Sequence, residues 1–101
     1  MNNVLTGTMQ PSAVKGLIRA LRIHVQKNGE DKVSRSVLNQ LTFVRRWLET
    51  GANPKEPRLH KLNFGPLIRR NAKLNASELA KPLRGLYCTL VAIRGLGRRV
   101  L

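Results

Sequence analysis

Carboxylates are what this chain has least of. Only five of its 101 residues are Asp or Glu, against nineteen Lys and Arg, so the formal net charge is +14. A chain so charged repels itself and calls for a polyanion: nucleic acid, an anionic membrane surface or an acidic protein. Cysteine is nearly absent as well. Cys88 stands alone, which excludes an internal disulfide or a multi-cysteine zinc site and points to a reducing compartment, cytoplasmic or nuclear, rather than to secretion. With no acid or histidine at a recognisable spacing, Cys88 reads as a half-buried structural thiol and not as a nucleophile.

No apolar run approaches the roughly 18 to 20 residues of a membrane span, because Lys or Arg interrupts each one. Aromatic residues number four, Phe43, Trp47, Phe64 and Tyr87, so platforms for stacking bases are scarce. The remaining titratable groups, His24, His60, Glu30, Asp31, Glu49, Glu56 and Glu78, form neither an acid–base pair nor a metal-ligand set. Glu30 and Asp31 suit a helix start, where the dipole favours acids. Gly95 and Gly97 precede Arg98 without the spacing of a phosphate-binding loop. The expectation is a protein that is not an enzyme, with no metal, cofactor or small-molecule substrate.

What is present is helical periodicity. Pro11-Ser12 opens a first helix over residues 12–28, in which Val14, Leu17, Ile18, Leu21 and Val25 fall in one arc and Asn28-Gly29 ends the pattern. Residues 1–29 contain no acid and have the look of an organelle transit peptide, but the apolar spacing is that of a structural helix. Asp31 or Ser34 caps a second helix over 32–50, with Val33, Val37, Leu41, Val44 and Leu48 in one seam, widened by Phe43 and Trp47 and closed by Gly51. The two read as an antiparallel hairpin.

Pro54 and Pro57 break residues 52–63 into a connector, and Gly65-Pro66 begins a short basic helix over 66–73. Asn75 with Glu78 resembles a capping box, which also accounts for the glycosylation-like Asn75-Ala76-Ser77. A last helix over 76–95 carries Leu79, Leu83, Leu86, Leu90 and Ile93 in coiled-coil-like spacing, with Pro82 kinking it or shifting its start and Gly95 and Gly97 ending it. The fold class is all-α: one basic helical domain over 1–101, with 1–10 and 96–101 expected as flexible ends. Val37, Leu41, Val44, Leu48, Leu83, Leu86 and Leu90 form the seam of the core or of a dimer; for so short a chain, pairing two copies is a natural way to finish the core, so a helical-bundle homodimer is expected.

The polar faces carry the functional signal. A solvated helix face ordinarily mixes Glu with Lys, whereas Lys15, Arg19 and Arg22 stand at i, i+4, i+7 with no acid among them. Lys32, Arg35, Arg45 and Arg46 follow on the second helix, and Arg69, Arg70 and Lys73 on the short one. These ten residues are the predicted nucleic-acid contacts. Lacking a zinc-finger, zipper or homeodomain pattern, they suit a duplex held by its phosphates without sequence preference, double-stranded RNA ahead of DNA; Arg35 with Asn39 is the one pairing suited to base edges. In size, charge and helical layout the chain is similar to small viral RNA-binding and basic capsid proteins, although no residue motif carries that likeness. A packaging protein assembled through the leucine seam, and a basic amphipathic protein lying on a membrane surface, are the alternatives; membrane association is not expected.

Overall fold

The computed structural model describes residues 10–99 of the chain, with side chains as far as Gly95. All regular structure in that span is helical. The first helix, α1 (Pro11–Asn28), starts with proline in its first turn, where the missing N–H loses no bond. It ends at Gly29, which adopts φ +90° and donates its N–H to the Val25 carbonyl. The second, α2 (Lys32–Glu49), is capped by Asp31, whose Oδ1 accepts from the Ser34 N–H at 2.7 Å. The other oxygen of Asp31, Oδ2, accepts from the Asn71 side-chain amide. At the far end Gly51 at φ +110° and Ala52 at φ +52° reverse the chain, and the Ala52 N–H returns to the Trp47 carbonyl.

The stretch between residues 52 and 63 is more than a connector. It contains a 3-10 turn (Pro57–Lys61) that buries Leu59, followed by buried Leu62. Three hydrogen-bonded anchors hold it. The Trp47 indole N–H donates to the Asn53 carbonyl; Gln40 and Asn63 exchange bonds in both directions; and one Arg94 Nη donates to the carbonyls of Leu59 and Leu62.

Two helix boundaries differ from those expected. The basic segment 66–73 is not one helix but two short ones, α3 (Phe64–Arg69) and α4 (Ala72–Asn75). The break arises because the Asn71 side chain accepts from the Leu74 N–H and so caps a new helix. Asn75 does not cap the last helix: its side-chain oxygen accepts from Arg84, and it is the final residue of α4. The Ser77 hydroxyl shapes the turn instead, donating to the Leu74 carbonyl and accepting from the Leu79 N–H. The last helix, α5, therefore begins at Ala80 and runs to Arg99. Pro82 lies in its first turn and removes no bond. Gly95 and Gly97 are helical rather than terminal, so residues 96–99 belong to the helix, while 1–9, 100 and 101 lie outside the described residues.

The core gathers one face from every helix. Val14, Ile18 and Leu21 of α1 are buried together with Val37, Leu41, Val44 and Trp47 of α2, Phe64 and Ile68 of α3, Leu74 of α4, and Leu83, Leu86, Leu90 and Ile93 of α5. Leu48 is half-buried against this cluster. Each buried Leu, Ile or Phe contributes on the order of 1.5–3 kcal/mol relative to exposure. The seam residues expected to form the core or a dimer contact pack inside one chain: Leu83 is 0% and Leu86 and Leu90 are each 1% exposed. The leucine seam is therefore part of the core of the single chain. The molecule measures 43 × 23 × 19 Å, and among the described residues no helix is long and apolar enough to cross a membrane.

Candidate nucleic-acid interface

Packing of α1 on α2 turns a stripe into a notch. Lys15, Arg19 and Arg22 share one face of α1 and span about 10.5 Å of its axis at 1.5 Å per residue. Arg45, on the flank of α2 beside the buried seam, joins them around a shallow hollow of about 210 Å³ floored by Ile18. The three α1 cations are exposed and form no ion pair with any described residue. Arg45 is half-exposed, with Glu49 at 3.9 Å from its Nε, an ion-pair distance too long for a hydrogen bond. That Nε–H is shielded from solvent and has no hydrogen-bond partner. Four cations thus meet with a single carboxylate, the ion-pair partner of Arg45, and one buried donor among them lacks an acceptor. The exposed nitrogens of these cations can bond an anionic oxygen, and charge-assisted bonds from guanidinium to phosphate are among the stronger kinds.

The other predicted contacts occupy different ground. Lys32, Arg35 and Arg46 lie on the outer side of α2, away from the notch. Arg35 donates to Glu30 at 2.9 Å, and this bond together with the carboxylate charge raises its already high pKa. Arg69, Arg70 and Lys73 sit on α3, at its end and on α4, all exposed. Arg69 borders a separate hollow of about 270 Å³ with Arg84 and Tyr87. The ten cations therefore fall on three parts of the surface, and only Lys15, Arg19, Arg22 and Arg45 converge.

A second arrangement escaped the sequence. Beside α2 and the 3-10 turn lies a hollow of about 410 Å³ lined by Asn39, Phe43 and Arg46 together with Glu56 and Arg58. The Arg58 guanidinium lies over the Phe43 ring, 5.1 Å from its centroid. Both Glu56 carboxylate oxygens accept from it, at 3.2 and 3.3 Å. Those side-chain bonds, with a further one from the Arg58 N–H, hold the Glu56 carboxyl below the usual range. The proximity of Arg58 to Phe43 depends on the 3-10 turn, which no local pattern in the sequence announces.

Cys88 is exposed rather than half-buried, because the residues of α5 that face inward are those of the leucine seam. Arg94, unremarked in the sequence, is a structural clamp that also lies near the Tyr87 ring, 6.0 Å from its centroid. Compared with known protein families, with curated proteins and with solved structures, the chain matches none.

Proposed function

We propose that this protein is a non-enzymatic nucleic-acid-binding protein that holds a duplex by its phosphates without sequence preference, double-stranded RNA ahead of DNA. The observation that carries the reading is the α1–α2 notch: four cations converge, and three of them have no carboxylate within ion-pair distance among the described residues. Like charges at i, i+4 and i, i+3 on an exposed helix destabilise it by about 0.2–0.5 kcal/mol per pair. Phosphate contacts turn that liability into affinity. Backbone recognition also suits the surface, since Trp47 and Phe64 are buried and unavailable for stacking, and contacts across the shallow minor groove of A-form RNA need no base edge.

The long dimension of 43 Å is sufficient to lie along about one turn of duplex, roughly 34–36 Å. A homodimer as the binding unit is part of the proposal; its interface is not the leucine seam, and two notches per complex would double the phosphate contacts. The packaging alternative drew its assembly drive from that same seam, which is enclosed in the monomer, so no observation favours it over simple binding.

Salt dependence is the test. With four phosphate contacts per chain, log affinity for a DNA duplex should fall with log salt at a slope of about −3.6 per bound chain, from the factor of about 0.9 per contact. Replacing Lys15, Arg19 and Arg22 with Ala should flatten that slope by about 2.7 and weaken binding to unrelated sequences alike, with helix content by circular dichroism unchanged. A wild-type slope near zero rejects the reading.

A further inference from the structure

The hollow between α2 and the 3-10 turn differs in chemistry from the α1–α2 notch, and the difference indicates what it holds. The notch is almost purely cationic. In the hollow, Glu56 neutralises Arg58, which leaves Arg46 as its one uncompensated charge. Beside Arg46 stands Asn39, seven residues earlier and on the same face of α2, with its side-chain amide unbonded among the described residues. A neutral planar group next to a single negative charge matches this set, whereas a bare phosphate would meet the Glu56 carboxylate.

Arg58 supplies the plane. Its guanidinium is fixed by the two-pronged bond to Glu56 and rests with one side over Phe43. The Arg58 side chain is nonetheless 67% exposed, so contact with Phe43 and Glu56 leaves most of it accessible to a ligand. Guanidinium planes of this kind stack the unpaired bases of RNA loops and bulges, and Phe43 beneath it adds cation–π support. A volume of about 410 Å³ lies within the range of small-molecule sites, about 300–1,000 Å³.

We infer that this hollow binds one unpaired nucleotide, its base stacked on the outer side of Arg58, its edge bonded by Asn39 and its phosphate held by Arg46. The inference deepens the nucleic-acid reading and rests on it for the class of ligand. It adds that the protein favours a duplex carrying an extruded base over a perfect one, the α1–α2 notch gripping backbone in both.

The probe is a ribonucleoside monophosphate titrated into the intact chain to about 10 mM, well into the range of weak binding, with the emission of Trp47 as readout. Trp47 is the sole tryptophan and lines the hollow. A saturable change in emission is expected, lost in Arg58→Lys, which keeps the charge but not the plane, and weakened in Asn39→Ala. Lys81→Ala, which removes an exposed cation of α5 outside both hollows, should leave it unchanged. Absence of a saturable change in the wild type, or an undiminished one in Arg58→Lys, overturns the inference. Either outcome is independent of duplex affinity, so failure here is distinguishable from failure of the duplex reading. Where duplex binding holds, an RNA duplex with a one-nucleotide bulge should bind about fivefold or more tighter than its perfect counterpart, the lower end expected for one base stack. Equal affinity for the two counts against the inference.

Discussion

Single residues decide how the few carboxylates are used. Glu56 holds Arg58 over Phe43, and the bonds it accepts lower its pKa. A carboxylate whose folded pKa lies below its unfolded one contributes stability above the unfolded value, and that contribution is lost as pH falls through the folded value. The wild type should therefore exceed Glu56→Gln in melting temperature at neutral pH, with the difference closing below about pH 4; a difference constant with pH would show that charge is not involved. The role of Asp31 as a cap was legible, because an acid followed three residues later by Ser34 at the head of an apolar run marks a helix start. The Gln40–Asn63 exchange and the Arg94 clamp were not, since their partners lie 23, 32 and 35 residues away. Nothing local ties those residues together.

Elements show the same division. Helices α1 and α2 emerge at nearly the expected limits because period, cap and glycine stop agree. The segment from 64 to 80 was misread because Asn71 and Ser77 use side-chain bonds to restart and turn the chain, and such bonds leave no periodic trace. What fixes α3 against α5 is close approach. Gly65 is buried, and a methyl built there would overlap the ring of Tyr87, which itself packs edge-on against Phe64 with ring centroids 5.2 Å apart. Gly65→Ala should cost about 1–3 kcal/mol in urea unfolding, the usual range for overpacking, despite the better helix propensity of Ala. A stabilised variant would mean that α3 and α5 can separate at no cost.

Taken whole, the molecule pairs a well-filled interior with a poorly compensated exterior. Self-repulsion at +14 opposes compactness and is relieved by screening. The free protein should gain melting temperature as salt rises from about 10 to 200 mM, while affinity for a duplex falls over the same interval. Replacing Lys15, Arg19 and Arg22 with Ala should raise the stability of the free protein by about 0.5–1 kcal/mol, from two relieved like-charge pairs; a loss of more than about 1 kcal/mol would mark these residues as structural. The acid-poor stripe was plain in the sequence, but its meeting with Arg45 was not, because only the packing of α1 on α2 sets that flank beside it.

The two carboxylate oxygens of Asp31 serve the first turn of α2 and, 40 residues along the chain, the side chain that begins α4. One carboxylate thus caps α2 and holds the residue that caps α4, so Asp31→Ala removes a hydrogen-bond acceptor from both helix starts at once.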